Sequence, residues 1–269
     1  MQDGLVLTDG AMGTALQTCG LPLGAIPELW NLTQPEDVAG VTAAYVAAGA
    51  RIVLSNTFGA NRWRLREHGN HLSVLNQAGV LLARKGAARN AFVFAAIGPS
   101  GTRAGEVTTT ELAEGFEEQV DAIAQAKPDG LVIETMTQLS EALIAVKAAK
   151  RTDLPVIASM TFGFGTSPEE AIPALIAAGA DVVGANCGNG PAEFPALCVS
   201  IKNFAGATPV WMKPNAGFPK IENGKAHYDL SPQEFAKQAL ALRKAGADFI
   251  GGCCGTMADH IQAIKKALI

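Results

Sequence analysis

The sequence predicts an α/β fold, a single (β/α)8 TIM barrel over residues 1–269, and three observations carry that prediction. Short apolar runs bounded by turn residues occur eight times, at 5–8, 51–55, 92–97, 130–134, 156–160, 181–186, 210–213 and 249–252. Each is near-continuously apolar instead of alternating, as expected of a parallel strand covered on both faces. Segments of helical period lie between them. An Ala-Gly-Ala string also recurs, at 48–50, 178–180 and 245–247, ahead of the second, sixth and eighth runs. Eight strand–helix units in about 250 residues is the count of a closed barrel, with a doubly wound open sheet as the alternative. No Pro/Ser-rich linker or shift in composition divides the chain.

Taken in order, the first run leads into Thr8-Asp9-Gly10-Ala11-Met12-Gly13-Thr14, which reads as a glycine-rich turn with Asp9 as its cap. Thr33-Gln34-Pro35-Glu36 then signals a helix start, and Val38, Val41, Tyr45 and Ala48 fall on one face of a helix over 36–48. The second run precedes a helix over 72–88. After the third run, Leu112, Phe116, Val120 and Ile123 form the apolar stripe of a helix over 110–126. The later helices are expected at 138–150, 168–178, 192–203, 231–245 and 258–268. Ser231-Pro232-Gln233-Glu234 opens one of them with an N-cap serine, proline in the first turn and an acid three residues on. The glycines of the Ala-Gly-Ala strings sit just past helix ends, where a left-handed cap is easiest.

Composition excludes several classes. Hydrophobic residues make up 48% and charged residues 17%, which is not the balance of a disordered chain. The net charge of −4 and the lack of a long basic run exclude a nucleic-acid binder. The longest apolar stretches are broken at Pro173, Gly179 or Asp181, too early for a membrane span. Met1-Gln2-Asp3-Gly4 lacks the positive start of an export signal, so a cytoplasmic location is expected. Five cysteines in such a chain do not read as a disulfide framework.

In a barrel, chemistry sits at the C-terminal ends of the strands. Asp9 ends the first run and Glu134 the fourth. Each is either a structural group, turn cap or ion pair, or an anchor for a substrate ammonium, since a carboxylate at a buried strand end needs a cation or hydrogen bonds. The sixth run ends in Asn186-Cys187-Gly188 and the eighth in Gly252-Cys253-Cys254-Gly255. Closure of the barrel would bring Cys187, Cys253 and Cys254 to one mouth. Three thiolates make a soft site suited to zinc with one position open. Gly252 and Gly255 would let the chain turn sharply enough for neighbouring residues to reach one ion. A nucleophilic cysteine or a redox pair are the rivals. Neither has support, because no histidine lies at an expected strand end and no Cys-x-x-Cys occurs. Cys19 and Cys198 lie away from strand ends and read as buried packing residues. No dinucleotide or phosphate loop is present.

The strings Asp9-Gly10-Ala11-Met12-Gly13-Thr14, Asn56-Thr57-Phe58-Gly59-Ala60-Asn61, Glu134-Thr135, Asn186-Cys187-Gly188, Pro214-Asn215-Ala216-Gly217 and Gly251-Gly252-Cys253-Cys254-Gly255-Thr256 resemble the homocysteine S-methyltransferase family. That family includes the homocysteine-binding module of cobalamin-dependent methionine synthase and betaine–homocysteine methyltransferase. The likeness runs in order over nearly the whole chain, and the last string paired with Asn-Cys-Gly is its most specific part. The resemblance implies a (β/α)8 barrel whose Cys187, Cys253 and Cys254 bind zinc, with the homocysteine sulfur in the fourth position. It implies that Asp9 and Glu134 hold the amine and that backbone amides of Gly10, Ala11 and Met12 face the carboxylate. Asn186 adjoins the metal, and Phe58 and Asn215 shape the pocket.

The implied activity is transfer of a methyl group to the homocysteine thiol to give methionine. A free alkyl thiol, with a pKa near 8.5, is mostly protonated at neutral pH, and coordination to zinc removes that proton. The sequence lacks the Asp-x-His-x-x-Gly string of a cobalamin domain. The donor is therefore expected to be a small onium, a betaine or S-methylmethionine, or a separate methyl-corrinoid protein. Trp30, in the long loop after the first run, is the candidate aromatic wall for an onium, and Trp63, between Arg62 and Arg64, a candidate for the mouth or a docking rim. Two further readings keep the fold: the same chemistry on another thiol or selenol, and a zinc-binding paralogue without turnover.

Overall fold

The computed structural model describes residues 4–103, 105–222 and 225–268. Strands β1 (Val6–Leu7), β2 (Ile52–Leu54), β3 (Phe92–Ile97), β4 (Gly130–Met136), β5 (Val156–Met160), β6 (Val182–Cys187), β7 (Val210–Pro214) and β10 (Phe249–Ile250) pair in parallel in the order β1-β10-β7-β6-β5-β4-β3-β2. A parallel bridge between Thr8 and Ile52 joins the two ends, so the sheet closes into the expected barrel. A short antiparallel hairpin, β8 (Lys220–Glu222) and β9 (Lys225–His227), is inserted after β7.

The helices lie where the periodicity puts them: α3 (Pro35–Ala48), α5 (Leu72–Ala87), α6 (Thr109–Gln125), α7 (Leu139–Ala149), α8 (Pro168–Ala177), α9 (Phe194–Ala205), α10 (Pro232–Lys244) and α11 (Ala258–Leu268). Three short helices were not foreseen: α1 (Met12–Thr18), α2 (Trp30–Thr33) and α4 (Arg62–Leu65). The capping box at Ser231 and Glu234 forms as expected, and Gly49, Gly179 and Gly246 take φ of +115°, +108° and +97°. Thr33 does not open α3. It closes α2, its hydroxyl donating to the Leu29 carbonyl, and Gln34 stands at the N-cap of α3 without a side-chain bond.

Two apolar layers result. Ile52, Leu54, Phe94, Ala96, Val132, Ile157 and Trp211 form a cluster that fills the barrel interior. Their strand neighbours, such as Val93, Ala95 and Ile133, belong to the larger cluster under the helices. Strand residues alternate between the two. At the C-terminal ends the same alternation turns polar residues inward: Glu134 after Val132, Ser159 after Ile157, Asn186 after Gly184, and Lys213 after Trp211. Among the described residues, no helix is long and apolar enough to cross a membrane.

Candidate functional site

A cavity of about 330 Å³ opens at that end, lined by residues at the ends of β1, β2, β3, β4, β6, β7 and β10. Backbone bonds draw three loops together beside it. Cys253 N–H donates to the Pro214 carbonyl at 2.8 Å, Ala216 N–H to the Cys254 carbonyl at 2.8 Å, and Asn215 N–H to the Cys187 carbonyl at 3.3 Å. The consequence is that Cys187, Cys253 and Cys254 meet, with all three Sγ atoms within 4.8 Å of one another and each half-buried. Cys187 takes a left-handed backbone, φ +66°, to turn its sulfur back over the strand end. Gly255 supplies the turn freedom after the cysteine pair, with φ +82°. Gly252 serves differently from expectation: its φ is ordinary, and a Cβ there would run into the Thr256 side chain, so the need is close packing.

The chemistry of this donor set fits a soft divalent cation. With only protons to share, the three sulfurs compete: the thiols of Cys253 and Cys254 donate to Cys187 and hold its pKa well below the usual thiol range. The same bonds push Cys253 and Cys254 up. A cation that takes all three as thiolates removes that competition, as zinc does at three-sulfur sites. The remaining cysteines stay apart. Cys198 is buried as expected, but Cys19 is exposed at the end of α1.

Glu134 faces the cavity at 8% exposure. Burial raises its pKa to about 8, the Cys253 and Asp9 charges add to that, and Lys213 partly offsets it. Asp9 is not on the cavity wall and does not cap the turn. Its Oδ2 accepts the Leu54 N–H at 2.7 Å and its Oδ1 is ion-paired with Lys213. Lys213, 2% exposed, is the cavity-lining member of that pair and the principal site residue the sequence reading missed. Burial opposes its ammonium, but Asp9 and Glu134 outweigh this and hold its pKa above the ordinary lysine value. The signal was a lysine breaking an otherwise apolar strand in phase with the inward-facing Trp211. Tyr228, whose ring packs on Gly255 beside Cys254, was missed as well.

Asn186 joins the two halves of the site. Its Oδ1 accepts from Thr135 N–H at 2.8 Å and Ser159 Oγ at 2.7 Å. Its Nδ2 donates to Thr135 Oγ1 at 2.7 Å and lies 3.7 Å from Cys253 Sγ. Thr135 needs this grip. It sits in a β-bulge between Ile133 and Met136 at φ +62°, a costly conformation for a β-branched residue, directly after Glu134. Asn186→Ala is therefore expected to lower the unfolding free energy by about 2–4 kcal/mol, through loss of the buried hydrogen bonds that hold the strained Thr135 backbone. Thermal denaturation with and without a Thr135→Gly background checks this. The glycine, free to adopt positive φ, should recover part of the loss.

Gly10, Ala11, Met12 and Phe58 line the cavity, although the Ala11 N–H is taken by the Thr256 carbonyl. Arg64 lies over the Phe58 ring, 5.3 Å from its centroid, and buried Glu28 accepts the Gly59 N–H at 2.6 Å. Asn215 bonds the Gly188 carbonyl through Nδ2 and leaves Oδ1 buried without a partner. Neither tryptophan lines the cavity. Trp30 is not among the cavity-lining residues and packs on the main core, while Trp63 packs edge-on against Phe116 of α6. Asn56 and Asn61 are used structurally, Asn56 bonding Pro27 and Asn31 and Asn61 capping α4.

Comparison with known proteins agrees with this geometry. Methionine synthases of Mycobacterium leprae and Mycobacterium tuberculosis are 30% and 31% identical over 98% of this chain, which spans only 24% of their length. Betaine–homocysteine S-methyltransferase 1 of Danio rerio is 29% identical over 98% of this chain and 73% of its own. The metallated homocysteine methyltransferase MmuM from Escherichia coli superposes with a TM-score of 0.81 at 22% identity, covering 98% and 96% of the two chains, a likeness of fold. The sequence profile of the homocysteine S-methyltransferases matches residues 6–268, and the chain belongs to that family.

Proposed function

We propose that this barrel is a homocysteine-binding unit that transfers a methyl group to the homocysteine thiol, giving methionine, with zinc held by Cys187, Cys253 and Cys254. The reading rests above all on three sulfurs within 4.8 Å of one another beside a cavity whose wall also carries an unpaired carboxylate, Glu134. Zinc bound there would supply one open coordination position and favour the thiolate form of the acceptor. The chain's own residues do the rest. Glu134 takes the acceptor ammonium, whose charge favours the ionised carboxylate that burial opposes. Gly10 and Met12 face the carboxylate end. Asn186 holds the bulge next to Glu134 and keeps its amide against Cys253, so that amine anchor and metal cluster keep a fixed spacing. A fixed spacing aligns the sulfur with the incoming methyl, and alignment supplies much of the acceleration of such transfers. Phe58 shapes the wall, and Asn215, which is not among the lining residues, ties its loop to the Gly188 carbonyl.

For the donor, a separate methyl-corrinoid protein is favoured over a small onium. An onium needs an open aromatic face. Phe58 has Arg64 over its ring, and Trp30 packs elsewhere. Leu23, Phe164 and Phe218, on three different loops at the mouth end, are exposed at 49%, 63% and 68%, as a docking rim would be. The test is metal analysis of the purified protein, followed by X-ray absorption at zinc with and without homocysteine and assays with methylcobalamin, betaine and S-methylmethionine. One zinc per chain, an all-sulfur shell with homocysteine and turnover only with the corrinoid support the reading. A zinc shell unchanged by homocysteine would point to another thiol or selenol acceptor or to a paralogue without turnover. Glu134→Gln is expected to retain zinc and weaken homocysteine binding about 10- to 30-fold, the cost of a buried charge-assisted bond, measured by calorimetry.

A further inference from the structure

Phe58, just after β2, is the one aromatic side chain among the described residues that line the cavity. Its ring lies on the Gly98 backbone, where a Cβ would fall 2.5 Å from Cε2, and the Gly98 N–H donates to the Phe58 carbonyl at 2.8 Å. Arg64 stands over that ring, its guanidinium carbon 5.3 Å from the centroid. The arginine is held at both ends. Its N–H donates to Asn61 Oδ1 at 3.0 Å, and its stem crosses Gly101, where a Cβ would lie 3.4 Å from Cγ. Its Nε flanks Gly59, where a Cβ would come within 3.0 Å of both Arg64 Nε and Glu28 Oε1. Glu28 is buried, lines the cavity too, and is fixed by the Gly59 N–H at 2.6 Å. Burial raises its pKa, and the Gly59 N–H and the Arg64 charge act the other way.

We propose that Arg64 is a donor-specificity residue: its guanidinium occupies the aromatic face of the cavity and so bars small cationic methyl donors, while the acceptor site stays open. The inference deepens the donor reading above and rests on it. An onium is held by the face of an aromatic ring. Here that face already carries a cation, and a second one would have to lie beside the first, where the protein screens charge far less than bulk water does. The site therefore discriminates by what it repels. Glu28 makes the exclusion durable, because swinging the guanidinium out would leave a buried carboxylate without its nearby cation. Gly59 and Gly101 leave the room that the arginine fills. A methyl group presented by a docked protein needs no aromatic face and meets no such barrier.

The experiment compares choline with 3,3-dimethyl-1-butanol, its uncharged isostere, on the zinc-loaded protein by ligand-observed NMR titration. Homocysteine affinity and methyl transfer from methylcobalamin are measured on the same samples. In the wild type, choline should bind no more tightly than the alcohol. In Arg64→Ala its affinity should rise at least tenfold while that of the alcohol changes less than threefold, because only the cation gains from an uncovered ring and the loss of a like charge. Adding Phe58→Ala should take back at least threefold of that gain, since the ring is what holds the cation. Arg64→Gln keeps the stem on Gly101 and loses the charge, so it carries the same comparison where Arg64→Ala fails to fold. Choline affinity unchanged in a folded variant, an equal gain for the alcohol, or a gain indifferent to Phe58 overturns the proposal. Such a result alongside wild-type turnover with methylcobalamin leaves the donor reading standing. A wild type that binds no homocysteine overturns the acceptor reading instead, and the choline comparison, which needs no acceptor, still judges Arg64.

Discussion

Cys254→Ala is expected to abolish zinc retention and to lower methyl transfer to homocysteine by on the order of a thousandfold or more. Two contributions set that size. Without the metal the acceptor thiol returns to a pKa near 8.5, so only about 3% is thiolate at pH 7, a loss of roughly 30-fold. Its sulfur is also no longer fixed opposite the methyl group, and lost positioning of this kind costs a further factor on the order of a hundred. The effect is large because the three sulfurs lie within 4.8 Å of one another, and two of them do not complete the donor set of a tetrahedral site. Metal analysis after dialysis, with a single-turnover assay, measures both. Cys19→Ala is the control, since that cysteine is exposed at the end of α1. Zinc retained at full stoichiometry by the Cys254 variant, or lost by the Cys19 variant, would refute the assignment of ligands.

Gly184→Ala is the second large effect, and it acts through the barrel wall. Gly184 in β6 pairs with Trp211 in β7, and a Cβ there would fall on the Trp211 backbone carbonyl. Backbone cannot rotate away as a side-chain end can, so β6 and β7 must separate. The expected cost is at least about 3 kcal/mol, at the upper end of overpacking effects. At roughly 2–4 °C per kcal/mol for a domain of this size, the melting temperature should fall by about 6–12 °C. Asn186 and Cys187 lie on the same strand and Lys213 two residues beyond Trp211, so zinc affinity should fall together with stability. A variant that melts like wild type would show that the two strands tolerate separation.

The two substitutions bracket what could be read in advance. Cys254 stood out because Cys-Cys between glycines has few structural explanations and because strand counting put it at the same end as Cys187. Gly184 carried no such signal. A glycine within an apolar run becomes essential only when a neighbouring strand, here β7, comes to lie against it.

The order of strands and helices, the closed barrel and the end at which the chemistry sits were determined by the sequence itself. They depend on local chemistry, namely apolar runs, 3.6-residue periodicity and glycines with φ near +100° after helices. The nomination of Cys187, Cys253, Cys254, Glu134 and Asn186 as candidate site residues was equally legible, because each lies at or beside the C-terminal end of an expected strand. Partnership was decided only by the tertiary structure. Asp9 reads identically whether it faces a ligand or a lysine more than two hundred positions away, and the pairing with Lys213 exists only once β1 and β7 flank β10 in the closed sheet. Trp30 and Trp63, plausible walls on residue type alone, stay off the cavity wall because they pack on the main core and against Phe116 of α6. Thr135 reads as an ordinary strand residue, and the bulge beside Glu134 appears only where Asn186 reaches across from β6 to hold it. Periodicity fixes which face a residue takes within its own element. The neighbour it meets there is set by packing and closure of the whole barrel, where burial forces each charge to find its counter-charge.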